Sequence, residues 1–557
     1  MSAVLLTGAA PSEAPTATGL AGVWDTARIL GDDLAGPITV TADRAELAGS
    51  RAVPMRDGGN RLYRFPGGRG ELRVIDPMSK TPTTFWLQPA TVTGSRYATP
   101  VLLLQLSPGV WRGYVHPLPN RIAMTLYVRQ AAGGTTTAFL RDPLYNLGRR
   151  FGTMTVTAAG NALRFAGPGG EITGTVDDPN TLTMKIAPDA GVPPLTFTRR
   201  AGTQSPGIST YRRPLPTGDG WTLAAAPDVG FATAPLEELA RLAAAAPTSA
   251  RSRDVHAIVV ARHGKLVVDD YFGRFDEATP HDTRSAGKTY ADALTGAAVE
   301  AGVPLGPGTP VLPLFRRYGA LANPDPRKAR ITLGNALSMS TGLDCDDNDD
   351  RSVANEDKMQ NQTAQSDWYR VVLDARMVRD PGTKAVYCSA SINLAGGAIA
   401  SATHAWLPAY FAQHVAVPMQ MQRYGLNLTP TGDWYLGGGA YVRPRDFLKI
   451  GQIFLDGGTW RGRRIVPRDW IERSWAAHLS LSPGDGYGYA WHVRTYQVGA
   501  RIYRAYEAQG NGGQILDVLP QLDLVVMITQ GNYNNYATWG PTRDAIVTRV
   551  IQAIKKR

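Results

Sequence analysis

The sequence predicts two folded regions of different class. An all-β barrel or sandwich is expected over residues 20–200, and an α+β domain over residues 231–557, with an antiparallel sheet flanked by helices plus a helical subdomain. Two observations favour this division. A chain of 557 residues is too long for a single hydrophobic core. Short alternating runs fill its first part, whereas helical periodicity appears only after residue 230.

The first region consists of short apolar–polar alternations separated by turn residues. Runs such as 101–106, 122–128 and 182–186 alternate in this way, and Gly-Gly, Pro-Gly and Asp-Pro-Asn stand between runs. This spacing is typical of a barrel or sandwich of antiparallel strands. Trp24, Trp86 and Trp111 fall in this region and are expected either to fill its core or to line a ligand-binding barrel.

Two segments are expected to lie outside the domains. Residues 1–19 are predicted to be a leader, either disordered or the remnant of a signal peptide, because a short apolar patch at 3–6 lacks a basic region before it. Residues 201–230 contain Ser-Pro-Gly, Arg-Pro and Gly-Asp-Gly and are predicted to be a linker.

The composition excludes several classes of function. The chain carries 58 Lys and Arg against 47 Asp and Glu, a net charge of +11. Its basic residues are scattered and not interleaved with aromatic residues, which favours a solvated surface over a nucleic-acid partner. No apolar stretch reaches the ~18 residues of a membrane-spanning helix. A hydrophobic content of 43% fits a folded protein.

The second region mixes helices and strands. Residues 235–246 place Leu236, Leu239, Leu242 and Ala243 on one helical face. Residues 257–260 and 266–271 are predicted to form a hairpin around His263-Gly264. Strands are predicted at 501–508, 514–518 and 522–528, followed by a helix over 541–554. Helices at both ends of an antiparallel sheet indicate an α+β layout.

A Ser-x-x-Lys motif stands at the predicted start of a helix over 285–301. Residues i and i+3 share a helical face, so the Lys288 ammonium can reach the Ser285 hydroxyl. Free N–H groups at the helix start also favour a developing negative charge on Ser285. The spacing alone is common, and a capping serine followed by a solvated lysine is the alternative.

Further motifs follow in a fixed order. They are 331–343, Pro-Gly-Thr at 381–383, Tyr-Cys-Ser at 387–389, Asn-Leu-Ala-Gly at 393–396, residues 438–449 and Gln-Gly-Asn-Gly-Gly-Gln at 509–514. With Ser285 and Lys288, this set resembles the class C β-lactamase-like superfamily of penicillin-recognising serine hydrolases. That superfamily includes esterases, D-aminopeptidases and 6-aminohexanoate-oligomer hydrolases. The resemblance covers about residues 235–555 and implies a β-lactamase/transpeptidase-like domain.

The resemblance implies a role for each matched residue. Ser285 corresponds to the nucleophile, Lys288 to the lysine that accepts or steers its proton, and Tyr387 to the tyrosine that relays a proton to the leaving group. The turn at Gly510 corresponds to the third motif, where the N–H groups of Asn511 and Ser285 would form an oxyanion hole. Glycine suits a strand edge that a substrate approaches closely. No metal or organic cofactor is implied.

Two positions depart from the family pattern. Ser389 stands where the tyrosine motif carries asparagine, and Ala508 stands where the third motif carries Lys or His. Ser389 and Gly510 are still predicted to contact substrate, together with Asn511. A missing cation at Ala508 argues against β-lactam turnover and favours the esterase and amidohydrolase members.

The sequence therefore predicts a serine hydrolase that cleaves a small ester, amide or short peptide through an acyl-enzyme. A penicillin-binding or D-peptide-processing protein is one alternative. A binding module of the same fold without turnover is the other.

Residues 344–350 form an acidic run, Asp-Cys-Asp-Asp-Asn-Asp-Asp. An EF-hand loop would need Gly at Asp349 and Glu at Asn355, so that motif fails. The run is expected either to cap turns or to lie near the site and attract a cationic substrate. The family places the segments of Cys345 and Cys388 near the nucleophile, so the two cysteines are expected to be either bridged there or free. A disulfide would indicate an oxidising compartment, secreted or periplasmic.

Histidines offer no catalytic triad. His256, His263 and His281 precede Ser285, but His263 is a turn residue and His281 a pre-helix position. A Ser-His-Asp arrangement would also need a Gly-x-Ser-x-Gly elbow, which this sequence lacks around Ser285.

Overall fold

The computed structural model describes residues 17–29, 34–57, 59–79, 81–91, 94–131, 133–142, 151–186, 192–201, 210–245, 247–482 and 484–555. Most of the predicted leader, residues 1–16, and residues 202–209 of the predicted linker lie outside this description. The chain divides into two compact units. The first contains residues 1–30, 121–205 and 246–252, and the second contains residues 31–120, 206–245 and 253–557.

The first unit is a closed antiparallel barrel of eight strands, which confirms the all-β prediction. Trp24 lies in its interior, where its Nε1 donates to the carbonyl of Leu20 at 3.0 Å and the Arg199 guanidinium stacks 4.1 Å from its ring centroid. Alternating side chains point inward, as period-2 strands require. In order around the barrel, the strands are Gly22–Ile29, Arg121–Gln130, Thr136–Arg141, Met154–Ala159, Ala162–Gly167, Gly170–Asp178, Thr181–Lys185 and Leu195–Arg199.

The barrel is discontinuous in sequence. Its first strand ends at Ile29 and its second begins at Arg121, and the intervening residues 31–120 belong to the second unit. The expected division at residues 20 and 200 therefore does not coincide with the compact units. The physical reason is strand pairing, because Ala98 stands opposite Leu426 in an antiparallel ladder.

An eight-stranded sheet of the second unit carries this pairing. All its neighbouring strands are antiparallel, and its first edge strand ends three residues before Ser285. From that edge the strands are His281–Asp282, Ala440–Val442, Tyr424–Leu428, Arg96–Pro100, Thr83–Gln88, Glu71–Ile75, Asn60–Arg64 and Pro54–Asp57.

A five-stranded sheet of the second unit shares an apolar cluster with the eight-stranded sheet. Trp86 is buried in that cluster, and Trp111 packs against it partly buried. The three tryptophans of the β region thus contribute to two different units and do not line one barrel. In order, the strands of this sheet are Leu104–Ser107, Val110–Val115, Gly36–Val40, Ala45–Leu47 and Ser50–Ala52.

A nine-stranded sheet with helices completes the second unit and confirms the α+β prediction. The predicted hairpin is present, with His263 in its turn at φ 52°. In order, the strands are Thr222–Leu223, Lys265–Tyr271, Val255–Arg262, Leu524–Gln530, Gln514–Leu519, Arg501–Gly510, His492–Val498, Asp485–Tyr487 and Leu479–Ser482. A two-stranded ribbon pairs Thr459–Trp460 with Arg463–Arg464.

The α-helices of the second unit cover the sheets and build the helical subdomain. They are Thr233–Ala244, Thr289–Glu300, Leu333–Leu337, Glu356–Asn361, Trp368–Asp374, Ser389–Thr403, Leu407–Phe411, Pro444–Leu455, Arg468–Ser474 and Tyr536–Ala553. The helix after the Ser-x-x-Lys motif is buried over most of its length, so it lies inside the unit. No helix in the described part of the chain is long and apolar enough to span a membrane.

Part of the predicted linker is packed. The Trp221 indole donates to the carbonyl of Arg445 at 3.0 Å, and the Arg445 guanidinium pairs with Asp219 at 2.9 Å and with Asp269 at 2.9 Å. Residues 222–223 also pair in parallel with the strand that begins at Lys265. Residues 219–223 therefore belong to the folded second unit.

Candidate active site

Ser285 stands on a tight turn between a strand and a helix. The strand His281–Asp282 leads into a 3₁₀ turn over Arg284–Lys288, and the helix Thr289–Glu300 follows. Arg284 adopts a left-handed conformation at φ 49°, which is unfavourable for a long side chain. Asp282 holds this conformation, because its carboxylate accepts from the Arg284 backbone N–H at 2.9 Å and pairs with the guanidinium at 2.9 Å.

Lys288 reaches Ser285 directly. Its Nζ donates a hydrogen bond to Ser285 Oγ at 2.8 Å and a second one to the carbonyl of Gly437. The lysine side chain is only 2% exposed, so the alternative of a solvated lysine is wrong. Ser285 is half-buried. The Ser-x-x-Lys spacing thus brings the two side chains together as predicted.

Tyr387 lies beside the same ammonium group. The Lys288 Nζ stands 5.1 Å from the centroid of the Tyr387 ring. Burial lowers the pKa of Lys288, but the neighbouring Tyr387, Glu356 and Asp347 raise it by more, so the pKa of Lys288 lies above its ordinary value. Lys288 is therefore a cation at neutral pH in the free protein.

A carboxylate pair accounts for much of this electrostatic environment. Asp347 accepts hydrogen bonds from the N–H and the hydroxyl of Ser389, both at 2.7 Å. The Ser389 hydroxyl also lies 3.1 Å from Glu356 Oε2, and Tyr435 donates to Glu356 Oε1 at 2.6 Å. Burial and the charge of Glu356 raise the pKa of Asp347. Ser389 is fully buried and bonds to these acids, whereas a contact with substrate stays a prediction.

A disulfide joins Cys345 to Cys388. Cys388 lies between Tyr387 and Ser389, and Cys345 lies two residues before Asp347. The backbone N–H of Asp347 also donates to the carbonyl of Tyr387 at 2.9 Å. The bridge and this hydrogen bond hold the acidic run against the tyrosine motif.

Three of the remaining acidic side chains of 344–350 support the loop itself. Asp344 accepts from the Ser352 hydroxyl at 3.0 Å, Asp346 accepts from the Asn348 N–H at 2.9 Å, and Asp349 pairs with Arg351 at 3.0 Å. These are turn-capping contacts. Within the described residues, no group of three or more His, Cys, Asp or Glu side chains is arranged to hold a metal ion.

The third motif runs alongside the nucleophile turn. A Cβ atom at Gly510 would lie 2.5 Å from the carbonyl oxygen of Thr283, so only glycine permits this approach. The Asn511 side chain is exposed and pairs with Asn534, accepting from its N–H at 2.7 Å. Among the residues described, no backbone hydrogen bond engages the N–H of Ser285 or of Asn511. Both groups are available as donors, but their role as an oxyanion hole stays a prediction.

Ala508 is buried in the core and supplies no polar group. Gln509, the next residue, lines a cleft of about 630 Å³ that Tyr387 also borders. Polar side chains surround the cleft. Besides Tyr387 and Gln509 they include Asn348, His492, Arg494 and Tyr536. His492 is oriented by Asp485, whose carboxylate lies 2.8 Å from its Nδ1.

Histidines near the motif are engaged elsewhere. His281 Nε2 lies 2.8 Å from His256 Nδ1, and His281 Nδ1 lies 3.0 Å from the carbonyl of Asp282. Burial and the neighbouring His256 lower the pKa of His281 to about 3. Both ring nitrogens of His281 have partners other than Ser285, consistent with the expected absence of a triad.

Sequence reasoning missed three participants. Glu356 and Tyr435 complete the acidic network, and the carbonyl of Gly437 accepts from Lys288. These residues are far from Ser285 along the chain, so helix or strand periodicity could not place them beside it. The Gly-Gly pair at 438–439 was a visible marker for the Gly437 segment, but it did not indicate which carbonyl faces Lys288.

Comparisons with known proteins find similar solved structures and one matching family. The similar solved structures include a Bacillus anthracis protein described as a 6-aminohexanoate-dimer hydrolase, at 18% identity over 63% of this chain and 93% of that chain, with a TM-score of 0.48. A penicillin-binding protein homolog from Caulobacter crescentus matches at 14% identity over 57% and 97%, with a TM-score of 0.46. A D-stereospecific amidohydrolase from Streptomyces sp. matches at 13% identity over 55% and 94%, with a TM-score of 0.42.

No curated protein sequence matches this chain. The sequence profile described as Beta-lactamase matches residues 239–546, which is more than half of the chain and includes Ser285, Lys288, Tyr387 and Asn511. The chain therefore belongs to the beta-lactamase family.

Proposed function

We propose that this protein is a serine hydrolase that cleaves an ester or amide bond through an acyl-enzyme on Ser285. The observation that carries the proposal is the 2.8 Å hydrogen bond from the buried Lys288 Nζ to the Oγ of the half-buried Ser285. A serine hydroxyl is a weak nucleophile unless a neighbouring group removes its proton, and Lys288 with Tyr387 provides such groups.

The charges at the site favour different roles for Lys288 and Tyr387. Because the pKa of Lys288 is raised, its ammonium stabilises negative charge on Ser285 and on the Tyr387 phenol. The Ser285 proton then passes to the Lys288–Tyr387 pair once that pair has lost one proton. Tyr387 also borders the cleft, so it is placed to return a proton to the leaving group.

The reaction follows from these positions. Ser285 Oγ attacks the substrate carbonyl, and the N–H groups of Ser285 and Asn511 hold the oxyanion. The carbon–oxygen or carbon–nitrogen bond breaks as the leaving group takes a proton from the pair. Water then attacks the acyl-enzyme and gives one proton to the pair. The pair passes this proton to Ser285 Oγ as the bond from Oγ to the acyl carbon breaks and the carboxylic acid leaves. Lys288 alone would leave the second proton transfer without a group that faces the cleft.

Ser285→Ala provides the direct test. The variant is expected to lose hydrolysis of p-nitrophenyl acetate and covalent labelling by a fluorophosphonate, because the bond-forming oxygen is gone. Ser107→Ala, at an exposed strand position, is the matched control and should keep both. Retention of ester turnover by Ser285→Ala would overturn the proposal. Labelling by penicillin without release would favour the penicillin-binding alternative.

A further inference from the structure

We propose that the second unit carries a separate binding site for a small organic carboxylate with an apolar body. The site is a cavity of about 490 Å³ between the eight-stranded sheet and the helical subdomain. Neither Ser285, Lys288 nor Tyr387 lines it. Its volume falls in the range of pockets that hold small ligands.

Three arginines give the cavity its positive side. Arg73 and Arg96 project from two strands of the sheet, and Arg317 stands at the opposite, helical wall. Arg317 donates to the hydroxyls of Ser401 at 2.9 Å and Tyr318 at 3.1 Å, which are neutral partners. Within the described chain, neither Arg96 nor Arg317 has an ion pair with a carboxylate. Their charges are therefore available to an anion.

Carboxylates that also line the cavity already have partners. Glu71 pairs with Arg64 at 3.0 Å, on the strand beside it. Asp367 accepts from the Tyr318 hydroxyl at 2.6 Å and caps the helix Trp368–Asp374. Asp433 accepts from the Tyr369 hydroxyl at 3.1 Å and from the Trp434 N–H at 2.9 Å. Each acid is thus held by a partner other than Arg96 and Arg317.

The rest of the lining suits an apolar body. Leu62, Leu87 and Leu428 are buried side chains of the sheet, and Leu428 stands directly opposite Arg96 in the ladder. The Trp406 ring faces them, with the Arg73 guanidinium 4.5 Å from its centroid. Arginines beside leucines and an indole favour a ligand with one carboxylate and a hydrocarbon or aromatic portion.

A short segment connects this cavity to the catalytic centre. Asp433 lines the cavity, the Tyr435 hydroxyl bonds to Glu356, and the Gly437 carbonyl accepts from Lys288. These three residues alternate along one stretch of chain. A ligand that contacts Asp433 therefore lies four residues along the chain from the carbonyl that accepts from Lys288.

The test is titration calorimetry of the full chain with 4-phenylbutyrate. We expect one binding event, with 4-phenylbutyramide and inorganic phosphate each at least about tenfold weaker, since each lacks one half of the recognised chemistry. Equal binding of the amide would overturn the role of the arginines. Equal binding of phosphate would overturn the role of the apolar wall, and no binding of 4-phenylbutyrate would overturn the site.

Variants locate the binding event. Arg96→Gln and Arg317→Gln should each weaken 4-phenylbutyrate about tenfold. Arg51→Gln, at an arginine that is 62% exposed on another sheet, should bind like the wild type. Leu62→Trp narrows the cavity without altering its charge and should also reduce binding. Wild-type affinity in the two charge variants would assign the carboxylate to another place, including the catalytic cleft. Unchanged melting temperatures would show that the variants fold.

Discussion

The two parts of the N-terminal β region are built alike and belong to different units. Residues 22–29 and 121–199 close into a barrel of their own, whereas residues 54–100 supply five strands to a sheet that ends beside Ser285. Both parts use short antiparallel strands. The two parts differ in the strands with which they pair. In one part the partners are barrel strands, and in the other the partner of Arg96–Pro100 is Tyr424–Leu428, far along the chain.

This difference indicates that only one part of the β region supports the candidate site. A strand from the first hundred residues hydrogen-bonds to the strand Tyr424–Leu428, which pairs with Ala440–Val442 and then with His281–Asp282. Each step is a backbone ladder, so the position of the nucleophile turn depends on its neighbours. Among the described strands, none of the barrel belongs to this sheet.

Proline substitution at matched alanines is expected to have the largest effect. Ala98 and Ala138 are both fully buried, and each pairs with strands on both sides. Proline removes a donor and disrupts a central ladder, at about 3 kcal/mol or more. We expect Ala98→Pro to abolish p-nitrophenyl acetate hydrolysis and Ala138→Pro to keep most of it. Equal losses of activity per folded molecule would contradict the division between the two parts.

Removing one arginine from each unit should have a smaller effect. Arg445 is fully buried between Asp219 and Asp269. Arg200 pairs with Asp25 at 2.6 Å, and these two side chains are 29% and 25% exposed. Arg445→Met removes the ion pair of Asp269 and leaves Asp219 with only its longer pair to Arg443 at 3.6 Å, which should cost about 3 to 5 kcal/mol. Arg200→Met should cost about 1 kcal/mol or less, because water replaces the lost partner.

Urea unfolding with two probes checks this pair of variants. Ester hydrolysis follows the second unit, and circular dichroism follows the whole chain. Arg445→Met should lower the midpoint of activity loss, and Arg200→Met should leave that midpoint in place. A shift of similar size in both variants would show that the two units unfold together.

The fold was largely predictable because its signals are local. Alternating runs indicated strands, and the motif order around Ser285 indicated the domain that follows. The insertion of residues 31–120 was not predictable, since nothing near Ala98 in sequence indicates a partner at Leu426. Glu356 was missed for the same reason. It reaches Ser389 from a separate short helix, and a lone glutamate at a helix start is ordinary.

In the candidate site, too, local contacts were predictable from the sequence and contacts between distant segments were not. Ser285 and Lys288 are three positions apart, so helical geometry was enough to bring them together. Ser389 was visible as a departure from the family pattern, but its acidic partners were not. A changed motif residue indicates that the surroundings have changed without indicating how.

The smallest expected effect separates the site from the scaffold around it. Asp347→Asn removes a negative charge that raises the pKa of Lys288, so the Lys288–Tyr387 pair should lose its first proton at lower pH. Rising pH activates the proposed enzyme by removing this proton, and we expect the ascending limb of kcat/KM to shift down by about one pH unit. Because the pKa of Asp347 is itself raised, its ionisation costs stability as pH rises, so the variant should stay folded. Asp350→Asn, an exposed neighbour in the same run, should leave the limb unmoved. An unchanged profile in Asp347→Asn would show that these carboxylates position Ser389 without setting the charge of Lys288.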